Sequence, residues 1–82
     1  MNPQVSAVST LPDHRLLLTF SNGERRVFDA KPYLPHGVFQ ALRKPEVFGA
    51  AKVVAGSIEW PGEIDLSYDT LYLRSVAEQH AA

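Results

Sequence analysis

An α+β fold is what this sequence predicts: one small single domain built from an antiparallel β-meander, a second short hairpin and two or three short helices. Three observations carry that reading. Leu16, Leu18 and Phe20 alternate with Arg15, Leu17 and Thr19, the period of a half-buried strand, and Ser21-Asn22-Gly23 supplies turn chemistry directly behind them. Val38, Ala41 and Leu42 stand at i, i+3, i+4, the spacing of a short amphipathic helix. A second pair of short apolar runs, 51–55 and 58–60, is separated by Gly56-Ser57. The 82 residues make one domain over 1–82, with its core over 5–73.

Taken in order, Val5 to Thr10 reads as a first strand ended by Leu11-Pro12-Asp13, and His14 to Phe20 as the second. Glu24 to Asp29 runs back as the third, and two registers compete for that hairpin. A two-residue Asn22-Gly23 loop would set Phe20 against Arg25 and put Phe28 on the side away from Leu16, Leu18 and Phe20. A three-residue Ser21-Asn22-Gly23 loop, with Gly23 left-handed, sets Leu16 against Phe28 and Leu18 against Arg26. Because a one-residue slip moves every side chain to the other face, the hydrophobic pattern decides, and it selects the three-residue loop. Leu17 and Val27 are then left together on the reverse face. They form a modest apolar spot or, read functionally, the surface of a weak homodimer.

Pro32-Tyr33-Leu34-Pro35 suits neither a central strand nor a helix interior and reads as a stiff connector. The predicted helix over 37–44 follows, then a second turn at Pro45-Glu46-Val47-Phe48 closing near Gly49. Residues 51–55 and 58–60 form the second hairpin. Beyond the Pro61-Gly62 break, Ser67 reads as the N-cap of a helix from Tyr68 to about Glu78. Its amphipathicity is poor, so a short helix and a frayed end over 77–82 are expected.

Composition limits the function. A chain of this size buries only about 60–65% of its unfolded surface and nets no more than ~3–5 kcal/mol from a single core. It has no cysteine, so neither a disulfide nor a thiolate–zinc site supports that core. The first residues lack the basic region and apolar run of a signal peptide, and no apolar run is long enough to span a bilayer, so a soluble, cytoplasmic protein is expected, with no membrane partner. A net charge of −1 argues against a dedicated nucleic-acid binder. The charge is nonetheless uneven: residues 1–44 carry six basic and three acidic side chains, and residues 45–82 carry two basic and six acidic. Two solvated faces explain that plainly. The sharper reading is an acidic surface around Glu59, Glu63, Asp65 and Asp69 that steers a basic partner protein.

No catalytic constellation is present. His14, His36 and His80 have no metal-ligand spacing and read as surface histidines. The four acids do not follow the spacing of a calcium loop, and there is no nucleophile elbow or phosphate loop. No catalytic residue, metal site or cofactor is therefore assigned. Asp65 or Ser67 serves as a cap for the following turn, Asp69 suits the positive end of the helix dipole, and Trp60 is the structural anchor of the core. Tyr68 and Tyr72 are placed to flank Trp60 on that helix.

The order Leu-Leu-Leu-Thr-Phe-Ser-Asn-Gly-Glu over 16–24, then Val27-Phe28-Asp29, Gly37-Val38-Phe39, Leu42, Phe48, Trp60-Pro61, Ile64-Asp65-Leu66 and Thr70-Leu71-Tyr72 resembles the bacterial family catalogued as domain of unknown function 2442. The resemblance covers residues 5–73 and implies a small α+β domain, occurring alone or ahead of a helix-turn-helix domain. It also implies a small neighbouring protein, in an arrangement suggestive of toxin–antitoxin pairs. A chain ending at Ala82 leaves no room for the helix-turn-helix, so the DNA-binding role of fused members is not expected here. The family supplies no catalytic residues to transfer.

Two readings of function remain. The first is a non-enzymatic protein-interaction module, one member of a toxin–antitoxin-like pair. The alternative is a DNA-associated regulator that presents Arg15, Arg25, Arg26 and Lys31 on the hairpin as a basic ribbon.

Overall fold

The computed structural model describes residues 1–81. Its first sheet begins with strands β1 (Val5–Leu11), β2 (Arg15–Phe20) and β3 (Arg25–Asp29). The predicted register holds: Leu16 faces Phe28 and Leu18 faces Arg26. The Phe20 N–H donates to the Glu24 carbonyl at 2.8 Å across the Ser21-Asn22-Gly23 loop, where Gly23 has φ of 90°. Leu16, Leu18, Phe20 and Phe28 are consequently all buried on the inner face.

The connector makes one 3-10 turn at Lys31–Tyr33, and residues 37–43 continue as 3-10 turns, where the sequence predicts an α-helical stripe of Val38, Ala41 and Leu42. Three residues per turn align Phe39 with Leu42 instead. Leu42 is fully buried and the Phe39 ring meets Tyr33 at 5.5 Å, while Val38 and Ala41 are exposed. Gly37 at φ of 49° and the extended Lys44 before Pro45 confine the segment from both ends. Helix α1 (Pro45–Phe48) is the expected second turn, closed by Gly49.

A second sheet contains β4 (Lys52–Val54), β5 (Ser57–Trp60) and a strand the sequence reading misses, β6 (Ile64–Leu66), in the order β4-β5-β6. The hairpin turn is Ala55-Gly56, one residue earlier than expected, because Val54 pairs with Ser57. Both turn residues have positive φ, 50° and 82°, as a tight hairpin of this length requires.

Helix α2 (Tyr68–Leu73) is capped by Ser67, whose Oγ accepts the Thr70 N–H at 3.3 Å. Of the two residues proposed as cap, Ser67 is the one that serves. The helix stops at Leu73 instead of about Glu78. Arg26 of β3 explains the stop: it donates to Ser75 Oγ and to the Ser75 carbonyl, each at 2.7 Å, and draws the chain out of the helix. Residues 76–77 then add as strand β7 beside β3, giving the order β1-β2-β3-β7. A 3-10 turn at Glu78–His80 follows, and Glu78 meets Arg25 Nε at 2.9 Å. Of the end predicted to fray, residues 77–80 are built into this edge; residue 82 lies outside the described residues.

The inner faces of both sheets meet in one core. Trp60 is buried in it, stacked on Phe48 with ring centroids 6.1 Å apart, and its Nε1 donates to the Phe48 carbonyl at 3.1 Å. Tyr72 packs elsewhere, edge-on to Phe20 with its ring beneath the Arg26 guanidinium.

Candidate interaction surfaces

Strand alternation places two charged surfaces on the outward faces of the two sheets. On the second sheet, Ile58, Trp60, Ile64 and Leu66 point inward, so Glu59 and Asp65 must point outward. They are direct cross-strand partners, Glu59 on β5 opposite Asp65 on β6. Like charges directly opposite are destabilising. Lys52 is the partner of Glu59 on the other side, yet no ion pair within 4.0 Å joins them among the described residues.

Glu63 sits in the turn between these strands, exposed and with φ of 63°, a left-handed conformation that costs a side chain roughly 1–2 kcal/mol. Three of the four acids named from the sequence thus share one hairpin. The fourth, Asp69, lies in the first turn of α2, where its Oδ1 accepts a 3.0 Å bond from Asn2 Nδ2.

On the first sheet, Arg15, Leu17, Arg25, Val27 and Asp29 face outward. Leu17 and Val27 are cross-strand partners, as the chosen register requires. Val76 of β7 comes alongside Val27, and Val27 is buried within the single chain. The spot offered as a weak homodimer surface is therefore partly covered by a strand that the sequence reading did not contain. Most of the basic residues nearby are engaged: Arg25 with Glu78, Arg26 with Glu24 at 3.1 Å, and Lys31 with Asp29 at 3.1 Å.

Arg26, Glu24 and Tyr72 form a joint between hairpin and helix. The Tyr72 hydroxyl donates to Glu24 Oε1 at 2.7 Å and Arg26 lies 4.6 Å above the Tyr72 ring. The Tyr72 hydroxyl, then the Asn22 amide and Arg26, hold the Glu24 carboxyl below its ordinary range. The same bond, with burial, holds the Tyr72 phenol above its own.

The histidines divide. His36 and His80 are exposed, but His14 is half-buried edge-on to Phe48 at 5.1 Å, and its Nε2 is buried with no hydrogen-bond partner among the described residues. The sequence reading of three surface histidines fails for His14, because the β1–β2 turn points its ring toward α1. No group of three or more His, Asp or Glu side chains is arranged to hold a metal among the described residues. Among them, no helix is long and apolar enough to cross a membrane.

Two small antiparallel sheets sharing one core, with short helical turns between them, define a small α+β domain with charged outer faces. Residues 5–77 match the family described as Protein of unknown function (DUF2442), and the chain belongs to that family. Neither the curated proteins nor the solved structures give a match.

Proposed function

We propose that this chain is a non-enzymatic protein-interaction module that docks a basic partner protein through the outer face of its second sheet. The observation that carries the reading is the placement of Glu63, Glu59 and Asp65. A glutamate occupies a left-handed turn position beside a cross-strand pair of like charges. Each feature costs stability that asparagine, glycine or an opposite charge would recover; a cationic partner offsets the like-charge repulsion, and the left-handed turn holds the Glu63 carboxylate exposed beside that pair. A small neighbouring protein, in the toxin–antitoxin-like arrangement implied by the family resemblance, is the first partner to seek.

The alternative, a DNA-associated regulator using the basic hairpin, has less in its favour. Arg25, Arg26 and Lys31 each already face a carboxylate, which weakens the charge offered to phosphates. Retention on DNA that falls steeply with salt would restore it.

Affinity co-purification from the native bacterium supplies the partner, and association kinetics test the surface. Rim charges act mainly on the on-rate. Glu59→Gln/Glu63→Gln is expected to slow binding several-fold at low salt, and added salt is expected to narrow the difference from wild type. An unchanged on-rate at low salt means the acidic hairpin is only solvated and the docking surface is wrong.

A further inference from the structure

Strand β1 is one edge of the first sheet, and its pairing leaves backbone groups without partners. The phase of β2 fixes which ones. The Phe20 N–H turns to the Glu24 carbonyl at 2.8 Å, while the Ser21 N–H turns the other way, to the Gln4 carbonyl at 2.7 Å. Along β2, the backbone groups of Leu16, Leu18 and Phe20 therefore point to β3, and those of Arg15, Leu17 and Thr19 to β1. Their partners Ala7, Ser9 and Leu11 turn toward β2, so Val8 and Thr10 direct N–H and C=O away from the sheet. The start of the strand is closed off, because the Val5 N–H donates to the Gly56 carbonyl at 2.8 Å. Among the described residues no hydrogen bond reaches the outward groups of Val8 or Thr10.

This edge also lacks the devices that keep an exposed edge from pairing. Residues 1–12 carry no charged side chain, and none of residues 5–11 is proline. The other three edges differ: β4 carries Lys52, β6 carries Asp65, and β7 is two residues long and runs into Glu78. Ser9 and Thr10 are exposed and Val8 is half-buried, so the strand is open where its free groups point. Beside Thr10 the edge gives onto a cavity of about 330 Å³ whose walls include Leu11, His14, Pro45 and Phe48.

We propose that β1 pairs antiparallel with β1 of a second copy about a two-fold axis at Ser9, joining two four-stranded sheets into one. In that register Val8 of each copy faces Thr10 of the other, and each such pair exchanges two N–H···O bonds. Ser9 faces its own equivalent and Ala7 faces Leu11, while Pro12, which has no N–H, ends the ladder. The strand is self-complementary: apolar meets apolar, the β-branched Val8 and Thr10 meet each other, and no like charges stand opposite. Val8 and Thr10 share the inner side of the sheet, opposite Leu18 and Leu16, so Val8 of the second copy is brought to the cavity beside Thr10. So short a ladder falls below the ~1,200 Å² of a stable interface, which makes the dimer weak and concentration-dependent. It shares no residue with the acidic docking surface and stands independently of it.

Sedimentation velocity and amide exchange of the ¹⁵N-labelled chain, each at about 50 µM and about 1 mM, test the pairing. For a Kd on the order of 0.1 mM, exchange of the Val8 and Thr10 amides is expected to slow about threefold at the higher concentration. Ser9→Lys and Ser9→Asp alter an exposed side chain and are expected to fold but stay monomeric, because each sets like charges across the axis. Mixed in equal amounts they are expected to pair again, since lysine then faces aspartate. Glu59→Gln/Glu63→Gln, on the other sheet, is expected to dimerise as wild type does. The proposal is overturned by a chain that stays monomeric throughout, or by Val8 and Thr10 exchange that ignores concentration. A dimer that survives in both charged variants, or a mixture no more dimeric than either alone, overturns it equally.

Discussion

Trp60 carries two interactions that can be separated. Its ring fills the core between the sheets, and its Nε1 satisfies the Phe48 carbonyl at 3.1 Å. Trp60→Ala is expected to cost on the order of 3–5 kcal/mol, comparable to the whole stability of a domain this size, so the variant should show no cooperative urea transition. Trp60→Phe retains an aromatic ring but orphans the carbonyl, and about 1–3 kcal/mol should be lost with the fold intact. A well-folded alanine variant would remove Trp60 from its place as anchor. The Glu24–Tyr72 bond makes a different kind of prediction. A carboxyl whose folded pKa is depressed stabilises above its unfolded value, and that contribution is lost as pH falls through the folded one. A phenol whose folded pKa is raised stabilises below its unfolded value, and the contribution is lost as pH rises through the folded one. Wild type should therefore exceed Tyr72→Phe in urea midpoint by a constant amount near neutrality, with the gap narrowing at both acid and alkaline extremes. A gap independent of pH would show that the hydroxyl does not act through Glu24.

Turns decide much at the scale of elements. The β2–β3 loop was legible because an alternating strand, a glycine that can take positive φ and the need to bury Phe28 all select one register. The β4–β5 turn was misplaced by one residue because its first position is Ala55, which sequence does not mark as left-handed. Replacing it with the residue this turn favours gives a direct test. Ala55→Asn creates Asn-Gly ahead of Ser57 and is expected to stabilise by roughly 0.5–1 kcal/mol, seen as a higher urea midpoint with an unchanged slope. Destabilisation would mean that the turn geometry is not the one described. The segment over 37–43 shows the opposite limit. Spacing at i, i+3, i+4 reads as an α-helical stripe, but over so few residues the burial of Leu42, the contact of Phe39 with Tyr33 and the confinement by Gly37 and Lys44 select 3-10 turns instead.

For the whole molecule, the uneven charge along the chain becomes a separation in space. The acidic hairpin occupies the outside of one sheet and Arg15, Lys31 and Arg74 the outside of the other, with the shared core between. Alternation supplies part of this directly, since residues flanking buried Ile58, Trp60, Ile64 and Leu66 have nowhere else to go. The sequence named Glu59, Glu63, Asp65 and Asp69 only from the acidic balance of its second half; that Glu59 and Asp65 share an outward face required β6, which it did not contain. The cavity beside Arg74 on the other sheet was not legible at all. Its residues come from 13–31 and from 74–81, at opposite ends of the chain, and no spacing rule joins them.

The sequence by itself determined the inner face of the meander, its register, a cap at Asp65 or Ser67 and the burial of Trp60. All of these rest on short-range rules: period-two alternation, turn stereochemistry, capping and the demand of a small core for its largest side chain. Strands β6 and β7, of three and two residues, were decided only by tertiary structure. Segments so short carry no periodicity of their own, and they become strands because a neighbour offers unpaired backbone groups. The end of α2 was decided in the same way. The Ser75 hydroxyl donates to the Tyr72 carbonyl at 3.0 Å at the helix end, and Arg26, far back in the chain, takes hold of Ser75 where the last residues turn onto the edge of the sheet.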